Sequence, residues 1–453
     1  MKHQKDTIFA LASGQGRAGI AVVRISGPKV QAILKHLTGD LPVPRTAVLR
    51  PLYFRSGKGS EPKLLDQGLV LFFAAPKSFT GEDVGELHLH GSSAVVQAVY
   101  QALMQLGSRP AEPGEFTRRA FDAGKLDLTE IEGLADLIAA QTEKQRSLAL
   151  QQMGGALSAV YELWRNQLLG VLAQLEAEID FADEDLPDNI SRTVAQKLEN
   201  LKAEMEAHLS DGHRGERLRE GVSVILIGPP NVGKSSLLNS LARRDVAIVS
   251  EQSGTTRDIL DIHLDLDGIA INIADTAGLR LTEGEIEKEG IRRALQKAEQ
   301  ADIRIYVGCP ESGGPLKAAH AFSMLVKDHD LMVMNKSDLL MDSGQDADLQ
   351  PSDALLLSVK TGEGMEGFLG SLTQRVQSLC VSGEGVVLTR ARHRHAVEAS
   401  LNALTRFLQG ETPDLGLRAE DVRLALRSLG RITGRVDVED VLDLIFSEFC
   451  IGK

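Results

Sequence analysis

Aromatic side chains are scarce in this chain: 4% of 453 residues, with one tryptophan and four tyrosines. Extended stacking platforms for single-stranded nucleic acid are therefore not expected. Cysteine is scarce too. Cys309, Cys380 and Cys450 form an odd, scattered set, with neither the spacing of a disulfide framework nor that of metal ligands. No apolar run approaches the roughly 20 residues of a membrane span. The first residues, Met1 to Ile8, lack the apolar core and cleavage site of a signal peptide. These absences point to a cytoplasmic protein with no membrane partner. Positive charge is in deficit. The net charge of −13 argues against a wholly electrostatic nucleic-acid binder. The deficit is uneven: residues 1–122 carry +5, 123–217 carry −9, 218–379 carry −8 and 380–453 carry −1. Any RNA contact should be local, in the N-terminal part or at Arg390-Ala-Arg392-His-Arg394-His395. That cluster reads at least as well as a solvated helix start.

What is present is ordinary globular composition, 43% hydrophobic and 25% charged, with length for about three domains. Residues 1–122 look mixed α and β. Strands are expected at Ile20–Ile25, Gly68–Phe73 and Glu86–His90, and a helix at Ala94–Leu106. From about Leu126 the texture becomes helical. Leu157, Val160, Trp164, Leu168, Val171, Leu175 and Ile179 recur at steps of three and four, which predicts one apolar helix stripe packed in a bundle. A second helix is expected over Arg192–Leu209. A buried strand begins at Val222–Ile227 and opens an α/β pattern that runs to about Leu379. Helical texture then returns with Val397, Leu401, Leu404 and Leu408, ended by Gly410. The simplest architecture is a helical domain in two pieces, 123–217 and 380–453, with an α/β domain, 218–379, inserted between them.

Four motifs lie in order inside that insert. Gly228-Pro-Pro-Asn-Val-Gly-Lys-Ser235 follows a strand and opens a helix, the context a phosphate-binding loop needs. Its backbone N–H groups and the helix N-terminus suit phosphate oxygens. Lys234 can bridge the outer phosphates, and Ser235 can ligate magnesium. Thr255 and Thr256, in Gly254-Thr-Thr-Arg-Asp258, offer a hydroxyl to the same ion. Asp275-Thr-Ala-Gly278 ends a strand; Asp275 reaches magnesium and the Gly278 N–H meets the terminal phosphate. In Asn335-Lys-Ser-Asp338 the carboxylate can accept from both the ring N–H and the amine of guanine, a pair adenine does not offer. Ser358-Val-Lys360 closes over the base. The site for GTP or GDP is thus expected to comprise Asn231, Val232, Gly233, Lys234, Ser235 and Ser236. It continues with Ser250, Glu251, Gln252, Ser253, Gly254, Thr255 and Thr256, then Asp275, Thr276, Ala277 and Gly278. Asn335, Lys336, Ser337 and Asp338 complete it with Ser358, Val359 and Lys360. Leu279 stands where many small GTPases have a water-orienting glutamine, so a carboxylate must come from elsewhere. The acidic run Glu283, Glu285, Glu287, Glu289 lies just downstream. The Asn231 amide oxygen could hold a monovalent cation in place of an arginine finger.

The ends of the chain carry further motifs. Asp6-Thr-Ile8, Arg24-Ile-Ser-Gly27, Phe79-Thr-Gly-Glu-Asp83, Pro113 to Phe121, Gly124-Lys-Leu-Asp-Leu128 and the terminal Phe449-Cys-Ile-Gly-Lys453 resemble the MnmE (TrmE) family of tRNA-modification GTPases, over the whole chain. The resemblance implies a multidomain α/β and α protein. Its parts would be a folate-binding α+β domain that makes a homodimer, an α-helical bundle, and an inserted Ras-like P-loop GTPase domain. It implies a GTP hydrolase that works with a flavin (FAD) partner of the GidA (MnmG) type, as a heterotetramer. Together they would place an aminomethyl or carboxymethylaminomethyl group on the wobble uridine of certain tRNAs, with a formyl or methylene tetrahydrofolate derivative as donor. Carried over by residue, folate falls to Arg24, Glu82, Lys125 and Lys453. Potassium (K+) falls to Asn231, Ser250, Gln252 and Thr255, and magnesium (Mg2+) to Ser235 and Thr256. Glu287 falls at the general base and Cys450 at the modification site. The chain departs from the family at His90-Gly91-Ser92, at Ser358-Val-Lys360 and at Ser13-Gly-Gln-Gly16, which bears on loop detail. Two other readings compete: a regulatory or ribosome-assembly GTPase without chemistry of its own, and a folate-dependent transferase whose G domain is only structural.

Overall fold

A computed structural model describes residues 6–14, 16–55, 61–180, 190–211, 213–244, 246–247, 261–275, 296–312, 314–315, 326–339, 354–380, 385–410, 414–436, 442, 445–446 and 452. The chain divides into two compact units. One joins Met1–Ala135 to Gly430–Lys453, and the other is Asp136–Leu429.

The first unit is built on a six-stranded sheet. Its strands are β1 (Ile8–Leu11), β2 (Ile20–Ser26), β3 (Val48–Phe54), β4 (Lys63–Phe73), β5 (Val84–His90) and β6 (Arg109–Pro110). The order is β3-β4-β5-β2-β1-β6, antiparallel except for the β1–β6 pair. Alternation sorts the faces. Phe9, Val23, Ile25, Val70, Phe72, Leu87 and Leu89 point into one core. Helices α1 (Val30–Thr38) and α2 (Ser93–Gln105) cover it. Helix α1 buries Val30, Ile33, Leu34 and Leu37, at steps of three and four. The Ser92 Oγ caps α2 by accepting from the Val95 N–H at 3.2 Å. Arg24 of β2 therefore points to the opposite face, directly across from Glu86 of β5. Helices α3 (Glu115–Asp122) and α4 (Leu128–Ala139) follow. Leu442, Ile445 and Phe446, near the C-terminus, pack on Leu128 and Ile131 of α4.

In the second unit, α5 (Glu143–Met153), α6 (Ala156–Asp180), α7 (Ile190–Leu209) and α8 (Arg214–Glu220) precede a second six-stranded sheet. Helix α6 buries Leu157, Tyr161, Trp164, Leu168, Val171 and Leu175. Tyr161 takes the inner position that the sequence pattern gives to Val160, and its hydroxyl lies 3.4 Å from His208 Nε2. Helix α7 answers with Val194, Leu198, Leu201 and Met205.

The second sheet comprises β7 (Val222–Ile227), β8 (Asp261–Leu266), β9 (Ile269–Asp275), β10 (Ile303–Gly308), β11 (Leu331–Met334) and β12 (Leu355–Leu356). The order is β12-β11-β10-β7-β9-β8, and only β8 runs antiparallel to its neighbour. Strands β7 and β10 are nearly continuous buried apolar runs, as expected with both faces covered. Helix α9 (Lys234–Ala242) follows β7, and α10 (Met365–Cys380) closes this part. Helices α11 (Ala391–Gln409) and α12 (Leu415–Thr433) come next, with α11 packed on α7.

Two details tie the sheet to the helices. Thr142 and Gln145 make a reciprocal capping box at the start of α5. The next free donor of that turn, the Lys144 N–H, is met by the Gly268 carbonyl in the β8–β9 turn at 3.1 Å. The Arg390 cluster is solvated only in part: Arg392 is half-buried and His395 is exposed. Arg390 pairs with Asp136 at 2.8 Å, Arg394 pairs with Asp211 at 2.6 Å and Glu216 at 3.2 Å, and His393 is buried.

Candidate functional sites

The carboxyl ends of β7, β9, β10 and β11 meet along one edge of the second sheet, where α/β folds place ligands. The loop from Gly228 to Gly233 leaves β7 there. Gly228 is required by its neighbour, because a Cβ would stand 2.2 Å from the Val307 carbonyl oxygen. Gly233 has φ +98°, and a Cβ would stand 2.2 Å from Asn335 Nδ2. Asn231 also takes a left-handed φ of 64°. Lys234 is buried, and its Nζ donates to the Gly228 and Pro229 carbonyls at 2.8 and 3.0 Å. Burial pushes this ammonium below its ordinary pKa, against the pull of Asp275. The Ser235 Oγ donates to Asp275 Oδ2 at 2.8 Å. A hydroxyl and a buried carboxylate at a helix start make a hard oxygen set that fits magnesium.

The base-reading end is built from β11 onward. Asn335 donates its backbone N–H to the Gly308 carbonyl at 2.8 Å and its Nδ2 to the Val232 carbonyl at 2.8 Å. Its Oδ1 accepts from the Val359 N–H at 3.2 Å. One side chain thus ties the phosphate loop to two later segments. Ser358, fully buried, donates from Oγ to Asp338 Oδ1 at 2.7 Å. This fixes the direction of the Asp338 carboxylate. Lys336, with φ 59°, lies 3.3 Å from Glu311. Lys360 is exposed. Ser250 to Thr256, Thr276 to Gly278 and Glu287 lie outside the described residues. Of the four residues expected for potassium, only Asn231 is described.

A second polar cluster lies in the first unit. Arg24 meets Glu86 at 3.0 Å, and its guanidinium sits over the rings of Phe79 and Phe116. Glu82 is held from two sides: its Oε2 accepts from the Ser26 Oγ at 2.7 Å and from Arg119 Nη1 at 3.0 Å. Arg119 also reaches Asp6 and Glu115, which both pair with Arg109. Burial raises the carboxyl pKa of Asp6 and Glu115, but hydrogen bonds and charge from the two arginines more than offset it, and both end below the usual range. Lys125 is exposed, and its stem runs beside Gly81. Ser26, Glu86, Arg109, Glu115 and Arg119 were missed in the sequence. Arg119 left one signal: it lies three residues after the buried Phe116, on the inner face of α3. Cys450 and Lys453 lie outside the described residues, but Gly452 between them is buried. It has φ +105° and sits against the end of β1, so close that a Cβ would stand 2.1 Å from the Leu11 carbonyl oxygen.

A parallel α/β sheet with this loop at its carboxyl edge, and an Asn-Lys-Ser-Asp strand end beside it, defines a Ras-like P-loop nucleotide-binding protein. The family model for the MnmE helical domain matches residues 128–450, and that for the GTP-binding protein TrmE N-terminus matches residues 7–125. The chain is 52% identical to the tRNA modification GTPase MnmE of Parvibaculum lavamentivorans, covering 99% of this chain and 100% of that one. It is 51% identical to the tRNA modification GTPase MnmE of Paramagnetospirillum magneticum over the same shares. It is 47% identical to the mitochondrial 5-taurinomethyluridine-[tRNA] synthase subunit GTPB3 of Danio rerio, covering 99% of this chain and 93% of that one. The chain belongs to the MnmE (TrmE) family of tRNA modification GTPases. Among the described residues, no helix is long and apolar enough to cross a membrane.

Proposed function

We propose that this chain is a potassium-dependent GTPase that, with a flavin-containing partner of the GidA type, modifies the wobble uridine of certain tRNAs using a tetrahydrofolate one-carbon donor. The observation that carries the GTPase half is the convergence of Lys234, Ser235, Asp275, Asn335, Asp338 and Ser358 on one sheet edge. The loop and Lys234 hold the phosphates, and Asp338 reads the guanine edge. Ser235, Asp275 and Thr256 hold magnesium; Asn231, Ser250, Gln252 and Thr255 hold potassium. When bound, these ions neutralise charge on the transferring phosphoryl group. Glu287 takes a proton from water as the water oxygen attacks the terminal phosphorus, and the bond to the bridging oxygen of GDP breaks.

The modification half rests on the first unit. Glu82, with Ser26 and Arg119 behind it, presents a fixed carboxylate that suits the ring N–H groups of a pteridine. Arg24 and Lys125 supply cations for glutamate carboxylates. The seat of Gly452 on β1, two residues after Cys450 and one before Lys453 in the chain, supports a role for those two residues at this site. A second copy suits the outer edge of the sheet, where the cross-strand pairs Leu49–Leu69 and Tyr53–Leu64 are exposed. The cytoplasm is the expected compartment.

The test has two parts. Mass analysis of wobble uridines in cells lacking the protein should show the modification lost; retained modification would favour a purely regulatory GTPase. Purified protein should hydrolyse GTP faster in potassium than in sodium, and Glu287→Ala should keep GTP affinity while losing about 10²–10⁴-fold in turnover. Equal rates in both salts would remove potassium from the reading, and full turnover in Glu287→Ala would remove the base.

A further inference from the structure

We propose that Arg119 is the positioning residue of the folate-derivative site. This rests on the reading of Glu82 given above. The argument begins with charge. Arg109 bonds Asp6 at 2.6 Å and Glu115 at 2.6 Å. Arg119 bonds the same two carboxylates, at 2.8 and 2.9 Å. Two cations and two anions close a neutral ring, and Arg109 and Glu115 contribute two parallel hydrogen bonds to it. That ring ties Asp6, just before β1, and β6 to α3 and needs no further partner for its own balance.

Glu82 is outside the ring and is the excess negative charge of the cluster. Arg119 reaches it with Nη1, the same nitrogen that donates to the Asp6 carbonyl at 3.0 Å. Oε2 is thus fixed by Arg119 at 3.0 Å and by Ser26 at 2.7 Å. Ser26 in turn bonds Thr80 at 2.7 Å, and both hydroxyl residues are fully buried. Oε1 has one partner among the described residues, Arg119 Nη1 at a long 3.4 Å. The Glu82 side chain keeps 22% exposure, while Arg119 keeps 7%. The arrangement grips one oxygen from behind and presents the other. A carboxylate gripped in this way loses little rotamer freedom on binding a ligand with paired N–H donors, and Arg119 sets its angle. Arg119 does not touch the ligand.

A fold staple and a positioning residue predict different results. The probe is 5-formyltetrahydrofolate, measured by calorimetry on the full chain beside its melting temperature. Arg119→Lys keeps the charge in the ring but cannot span three carboxylates with a planar fork. It should weaken binding about 10–100-fold, the worth of a hydrogen bond to a charged group. Arg119→Gln should weaken it at least as much. Glu115→Gln loosens the ring but leaves the Arg119–Glu82 bond; it should lower the melting temperature and change affinity less than about 3-fold. GTP hydrolysis should stay at wild-type rate in Arg119→Lys. Wild-type affinity in Arg119→Lys, or equal losses in Arg119→Lys and Glu115→Gln, would overturn the proposal. Absence of binding by the wild-type chain would instead overturn the folate reading itself.

Discussion

Replacing Gly452 by alanine should separate tRNA modification from GTP hydrolysis. The residue sits at φ +105°, where an L side chain is strained, by about 1–2 kcal/mol for left-handed backbone. The added Cβ would stand 2.1 Å from the Leu11 carbonyl oxygen, 2.8 Å from its carbon and 3.1 Å from the Ala12 Cα. All three atoms are backbone. Leu11 ends β1, paired there with Val23 of β2, and its N–H donates to Tyr100 Oη at 2.7 Å, so it resists a shift of the required ångström or more. The tail must leave instead. Among the described residues its seat is one buried glycine, so undocking should lower the melting temperature by no more than about 2–4 °C, the shift expected for 1 kcal/mol in a 150–250-residue domain. Gly410→Ala supplies the control: φ is +64°, but nothing lies within 4 Å, so strain appears without collision. Reconstituted modification, read by mass analysis of the wobble uridine, should fall to background in Gly452→Ala and persist in Gly410→Ala. GTP turnover should match wild type in both. Full modification in Gly452→Ala would show that the seated tail is not needed.

Asp338→Asn should switch preference from GTP to XTP in a competition assay, because an amide can donate to the carbonyl that xanthine carries there. Ser358→Ala should weaken GTP binding about 10-fold by freeing Asp338, with turnover at saturation unchanged. Asp330→Ala should destabilise the G-domain sheet by about 3–5 kcal/mol in denaturant titration, since it leaves the buried Arg304 guanidinium without the carboxylate that holds it at 2.7 Å. Burial pushes His208 below its ordinary pKa of 6.5, Asp211 opposes this, and Arg394 and His393 add to it. The unfolded chain then binds the extra proton, so stability should fall as pH drops below 6.5. His208→Gln should flatten that slope.

The nucleotide site was legible because its motifs specify backbone conformation as well as chemistry. Gly233, Asn231 and Lys336 all carry positive φ, and each sits in a motif visible as a string. The strand at Leu331–Met334 is an apolar run that stops where the polar Asn335-Lys-Ser-Asp338 motif begins. Partners remote in sequence were not. Arg394 looks like one of several surface cations until Asp211, in the turn after α7, and Glu216 of α8 meet it. The resemblance assigns Arg24 and Glu82 to one ligand, but it does not reveal that strand register sets Arg24 against Glu86 and leaves Glu82 to Arg119. Local periodicity placed helix α6 but not its inner face near Tyr161, because the choice depends on His208, which α7 sets against the Tyr161 ring.

The β8–β9 turn has a mechanical meaning. Strand β9 runs from that turn to Asp275, a span of about 20 Å for its seven residues. It lies between β7 and β8, hydrogen-bonded to both, so it behaves as an incompressible rod. One end of the rod is the carboxylate beside Ser235, and the other is the carbonyl that caps α5. An axial displacement at the phosphate end cannot be absorbed by stretching or bulging. It must either break the ladder to a neighbouring strand or emerge at the first turn of α5, where the helices would feel it as a lost or tightened cap.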